Sequence, residues 1–231
     1  MSDTRRVKPP TRSQTAPGTS VHTIKVTLSG SRPPIWRRLQ VPSSTDLRRL
    51  HDLIQAAFGW EDYHMWVFET GRERYGATDR DLGIRSATAM RLDRIAPGVG
   101  ARFGYTYDFG DNWEHDIVVE AVDDAEPGVS YPHCLTGRRA GPPEDCGGIW
   151  GYEYLVEVLA DPGHEEHEER LEWLGLDSAD QFDPAAFDPA EINTALADCT
   201  TVLVHGSSPP TRPDCCTTSG PRTAPATATA S

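Results

Sequence analysis

The segment FGYTYDFGDNWEHDIVVEAV, residues 103–122, constrains the fold of this chain more than any other. Two runs of alternating apolar and polar residues flank Gly110, Asp111 and Asn112, a pattern that predicts two antiparallel strands joined by a tight turn. Phe103, Tyr105, Tyr107 and Phe109 fall on one face of the first strand, and Trp113, His115, Ile117 and Val119 on one face of the second. A face with so many rings must be covered, so the hairpin predicts a larger sheet with a packed layer over it. Alternation puts Thr106, Asp108, Glu114, Asp116 and Glu120 on the opposite side or at a rim. The turn itself, YDFGDNWEH at 107–115, gathers Asp108, Asp111, Glu114 and His115, residue types that ligate metals or move protons. Two readings stay open: aspartates that cap turn amides, or a polar cleft of Asp108, Asp111 and Glu114. The alternation itself prevents one strand from delivering both Glu114 and His115 to a single atom without a bulge.

Upstream, Ile24, Val26 and Leu28 alternate within residues 21–28, and residues 35–41 form a second strand that Pro42 ends, so the pair reads as a hairpin. Leu47, Leu50, Ile54, Ala57 and Phe58 recur at helical spacing. Ser43 and Asp46 stand at capping-box spacing before them, and Gly59 is placed as a C-terminal stop. His51 falls on the edge of that stripe and reads as a core-edge histidine. Residues 64–70 are a third strand, giving a β-grasp-like strand–strand–helix–strand opening. Residues 71–100 are loop-rich, with a short pairing at 74–77. Helices follow at 151–161 and 163–175, and a third opens at Asp188-Pro189. Strands first and helices after make an α+β fold with a mixed sheet. The expected organisation is one α+β domain over 21–204, between disordered Pro/Ser/Thr-rich tails at 1–20 and 205–231.

The net charge of −13 is unevenly spread: residues 111–200 hold 23 acidic and only three basic residues. That region would repel phosphate backbones and suits cations or a basic protein surface; a solvated acidic helical surface is the plainer account. No apolar stretch is long enough to span a membrane. Residues 1–20 have no apolar secretory core, and the five cysteines form no dense framework, so a reduced, cytoplasmic protein is expected.

The motifs PPIWRRLQVP, LHDLIQAAFGW, YDFGDNWEH, YPHCLTGRRAGPPEDCGG, GYEYL and FDPAAFD, in that order over about residues 22–198, resemble the plasmid pRiA4b ORF-3-like family. The resemblance implies an α+β fold and an association with plasmids, chromosomes and insertion sequences, but no settled biochemical activity. Some members carry a resolvase-like label. Arg37, Arg38, Arg48 and Arg49 cluster here, yet no serine sits among them in a recombinase motif, and the acidic C-terminal half opposes DNA.

Two chemistries remain as candidates. His133, Cys134 and Cys146 lie in a Gly/Pro-rich stretch expected to be a loop. His164 and His167, three residues apart, share a stripe with Leu171 and Leu174. With His115, the set His115, Cys134, Cys146, His164 and His167 suits zinc, although paired Cys-x₂₋₄-Cys spacing is absent. The competing account is core histidines bonded to backbone and thiols acting as small hydrophobes. Cys146 before Gly147-Gly148 also allows a thiol nucleophile with backbone amides as oxyanion donors and Asp145 or a histidine as its partner. The favoured expectation is a non-enzymatic protein-binding or accessory module without nucleic-acid or membrane partners. The alternative is a metal-dependent or thiol hydrolase-like enzyme built on the 108–115 hairpin and the 133–148 loop.

Overall fold

The structure, a computed structural model, describes residues 20–202. The two tails therefore lie almost wholly outside the described residues. Eight strands form one sheet: β1 (Ser20–Leu28), β2 (Trp36–Pro42), β3 (Trp66–Thr70), β4 (Glu73–Gly76), β5 (Ile84–Ser86), β6 (Arg102–Tyr107), β7 (Trp113–Asp124) and β8 (His133–Arg138). Their order is β5-β4-β3-β6-β7-β1-β2-β8. All pairs are antiparallel except β4–β5. The β6–β7 hairpin is the centre of the sheet, with Tyr107 paired to Trp113 across the turn. The opening order strand–strand–helix–strand is present, but β6 and β7 separate β3 from β1.

Five helices accompany the sheet: α1 (Leu47–Phe58), α2 (Leu92–Ile95), α3 (Gly148–Ala160), α4 (His167–Leu174) and α5 (Pro189–Val202). Leu47, Leu50, Leu53, Ile54, Ala57 and Phe58 of α1 are buried in the same cluster as Ile24, Leu39, Tyr105, Trp113 and Ile117, so α1 covers the aromatic face. Asp46, rather than Ser43, caps the helix: its carboxylate accepts from Arg49 N at 2.8 Å. Ser43 is instead buried, its hydroxyl bonded to His22 Nδ1 at 2.8 Å. Gly59 ends α1 in the left-handed conformation, as its position predicts. Arg37 lies under this end: its Nε donates to Ala57 O at 2.8 Å, and its guanidinium faces the rings of Phe58 and Phe187. Burial lowers its pKa to about 10, because the charged form is desolvated.

Four local expectations are corrected. Residues 133–138 are not loop but the edge strand β8, paired with β2. Its outer edge is covered where the Asn193 side chain of α5 accepts from Cys134 N at 2.7 Å and donates to Cys134 O at 3.1 Å. Strand β6 stops at Tyr107, and Asp108 takes a left-handed backbone with φ 53°. The alternation breaks there, so Asp108 turns inward and Phe109 outward, against the expected faces. Tyr154 is exposed rather than packed with Leu155, Val158 and Leu159. His164 precedes α4, so its side chain is not part of the His167–Leu171 stripe.

Candidate functional site

The end of the sheet that carries the β6–β7 turn is built from three segments far apart in sequence: residues 61–65, 107–115 and 144–151. Asp108 Oδ1 accepts from Gly110 N at 2.8 Å, which makes it the turn cap that residue type predicts. Asp111 does something else. Its Oδ2 accepts from Gly147 N at 3.0 Å and ties the turn to the start of α3. The contact is close: a Cβ on Gly148, whose φ is +67°, would stand 2.3 Å from Asp111 O. The glycine pair of the CGG motif thus lets the loop lie directly on the hairpin.

With the loop in place, His64, Asp108 and Asp145 converge. His64 Nε2 lies 3.0 Å from Asp145 Oδ1 and 3.7 Å from Asp108 Oδ2. The three ligand atoms lie within 4.8 Å of one another. Next to them, Tyr107 donates its hydroxyl to Glu144, whose other oxygen accepts from Glu61 N at 2.9 Å. Burial and the Glu144 carboxylate both raise the Tyr107 pKa, so this phenol stays protonated. Sequence reasoning names Asp108 for a polar cleft and Asp145 as a partner for Cys146, and does not single out His64. Asp62, Asp108 and Asp145 each take a left-handed backbone, a conformation in which aspartate is enriched among non-glycine residues.

A second group, His51, Asp52 and Asp62, is also close enough to hold an ion. Its histidine is already satisfied. His51 Nε2 donates to Asp62 at 2.8 Å, Nδ1 accepts from the Tyr105 hydroxyl at 2.7 Å, and the ring stacks on Trp66 at 4.1 Å. This matches the core-edge histidine read from the helical stripe.

The zinc set expected from sequence does not assemble. No three of His115, Cys134, Cys146, His164 and His167 form a ligand group among the described residues. The topology explains it. His115 lies on β7 and Cys134 on β8, with β1 and β2 between them, about 14 Å of sheet at roughly 4.8 Å per strand. His115 is enclosed by Phe58, Trp60 and Tyr105, with Nδ1 donating to Trp113 O at 3.0 Å. Desolvation lowers its pKa to about 3. His167 Nδ1 donates to Val158 O at 3.0 Å, and His164 accepts from Glu166 N at 3.1 Å. The thiol reading also meets obstacles. Burial, then the Asp111 and Asp145 carboxylates, push the Cys146 thiol up to about 12, while nucleophilic thiols need the opposite. Gly147 N, a proposed oxyanion donor, is occupied by Asp111.

Around the His64 group the surface is aromatic and acidic. Met65, Phe109, Trp150, Tyr154 and Trp173 are all exposed, Trp150 to 82%. Trp150 borders a cleft of about 620 Å³ with Asp111, Glu114 and Glu153 on its walls and Arg32 as its cation. Two members of the sequence-derived cleft, Asp111 and Glu114, therefore do meet, while Asp108 faces His64. A smaller cleft of about 200 Å³ lies between Asp145, Cys146, Tyr154, Arg170 and Trp173.

The sequence model of the plasmid pRiA4b ORF-3-like protein family matches residues 20–191. An uncharacterised protein of Sinorhizobium fredii, y4hQ, is 40% identical over 182 residues, covering 78% of this chain and 92% of its own. The crystal structure of MM3350 from Methanosarcina mazei, a protein of unknown function, superposes with a TM-score of 0.67 at 39% identity, covering 75% of this chain and 98% of that one.

Proposed function

Starting from the chain's membership of the plasmid pRiA4b ORF-3-like family, we propose that it is a non-enzymatic binding module, an accessory of mobile elements, that grips a basic segment of a protein partner at the turn end of its sheet. The observation that carries this reading is Trp150, which exposes 82% of its surface beside three carboxylates. A large ring left in water is what contact residues look like before a partner covers them. Asp111, Glu114 and Glu153 around it favour lysine or arginine over acidic chains and would speed encounter. One hydrogen bond, from Gly147 N to Asp111, ties the β6–β7 turn to the start of α3 beside the cleft and limits the ordering cost that falls on the module itself. The thiol-hydrolase alternative draws less support, since Cys146 is held as a thiol.

The test uses the tagged full chain and a Trp150→Ala variant to capture partners from a host lysate, followed by titration of the purified pair. The reading expects a partner with a basic segment, affinity that falls as salt rises, and a loss of about tenfold or more in Trp150→Ala. A partner bound equally well by both forms, or one bound through an acidic or wholly apolar surface, would overturn it.

A further inference from the structure

We infer that His64, Asp108 and Asp145 form a binding site for one first-row divalent cation; this goes beyond the docking reading and does not rest on it. The three side chains come from the segment before β3, the β6–β7 turn and the loop before α3, so the site exists only in the folded chain. His64 Nε2 is fully buried as an atom and has no hydrogen-bond partner among the described residues, although Asp145 Oδ1 is 3.0 Å away. The nitrogen and one oxygen of each carboxylate all lie within 4.8 Å of one another, close enough to share one ion. Asp108 is nine-tenths buried, with Oδ1 fixed by Gly110 N and Oδ2 turned to His64 at 3.7 Å. In a tetrahedral zinc site with bonds of about 2.0–2.2 Å, neighbouring ligand atoms stand about 3.3–3.6 Å apart. The observed 3.0 and 3.7 Å bracket that spacing.

The donor set narrows the ion. One imidazole and two carboxylates suit zinc or manganese; an imidazole nitrogen is a poor ligand for calcium or magnesium, which favour oxygen. With tetrahedral zinc, three protein ligands leave one position open, as in catalytic rather than structural zinc sites. Asp145, with 62% of its side chain exposed, puts that position on the solvent side, next to the cleft of Arg170 and Trp173. Two carboxylates against one imidazole give the group the negative charge a dication neutralises.

The experiment titrates chelator-treated full-length protein with Mn²⁺, followed by electron paramagnetic resonance of the free ion. Manganese is the primary probe because thiolates of the five cysteines compete for it weakly. Zn²⁺ is then tested by its effect on thermal unfolding. One equivalent of bound Mn²⁺ is expected, with affinity reduced by roughly tenfold or more in His64→Ala and in Asp145→Asn. Zn²⁺ should raise the melting temperature of the wild type more than that of Asp145→Asn. Asp145 is exposed and in a left-handed backbone that asparagine also adopts, so this variant keeps the fold, which circular dichroism checks. Absence of Mn²⁺ binding, or wild-type affinity in both variants, would overturn the inference and leave His64 as an ordinary polar neighbour of the two aspartates.

Discussion

Trp113 and His115 both lie deep in the core. Trp113 is completely buried between the sheet and α1, in ring contact with Trp60. Replacing it with alanine should cost about 3–5 kcal/mol, measurable by urea denaturation; a loss below about 1 kcal/mol would mean that neighbouring rings close the cavity. His115 makes stability depend on pH. The unfolded chain takes a proton on this ring below about pH 6.5, its ordinary value, whereas the folded chain resists until about pH 3 because burial penalises the cation. The unfolded state thus binds more protons between these values, and stability falls as pH drops through the window. The slope approaches about 1.4 kcal/mol per pH unit well below the unfolded pKa. His51, whose pKa burial also lowers, acts in the same direction. In His115→Phe, which keeps a ring in the cage of Phe58, Trp60 and Tyr105, denaturation between about pH 6 and pH 4.5 should depend less on pH. Equal slopes in the two proteins would show that His115 is not kept neutral.

Among the elements, the junction of the β6–β7 turn with α3 decides whether the candidate site exists. Gly148 holds φ +67° with Asp111 O where a Cβ would need to be. A Gly148→Ala substitution therefore combines left-handed strain of about 1–3 kcal/mol with a backbone clash. We expect the loop to lift from the hairpin, with faster amide exchange at Gly147 while the β1–β7 pairing stays protected. Unchanged exchange at Gly147 would show that the loop tolerates the side chain. The element pattern itself was readable in the sequence for β1, β2, α1, β6, β7 and α5, since alternation, helical spacing and the Gly59 and Asp188-Pro189 signals are local. Strand β8 was not readable. His133 to Arg138 is rich in small and polar residues, and it is extended because β2 offers an unpaired edge and Asn193 closes its outer side.

For the whole molecule, charge governs what can approach. The arginines that sequence places together are engaged separately. Arg37 is buried under α1, Arg38 donates to Glu120 at 2.5 Å, Arg48 pairs with Asp62 at 2.8 Å, and Arg49 donates to Cys199 O at 2.9 Å. Together with the −20 balance of residues 111–200, this predicts no salt-sensitive complex with duplex DNA at micromolar protein; fluorescence anisotropy showing one would restore a recombinase-like reading. No helix among the described residues is long and apolar enough to cross a membrane. By itself the sequence determined the α+β character, the hairpin with Phe103, Tyr105, Tyr107 and Trp113 on its buried face, the core-edge place of His51 and the acidic second half, because each rests on a local period or a count. Only the tertiary structure decided which polar groups meet. His64, Asp108 and Asp145 are brought together by left-handed turns at both aspartates and by a glycine that lets a loop touch the hairpin. His115 and Cys134, by contrast, are kept apart by two intervening strands. Contacts of that kind depend on strand order and on single backbone angles, which no periodicity in the chain encodes.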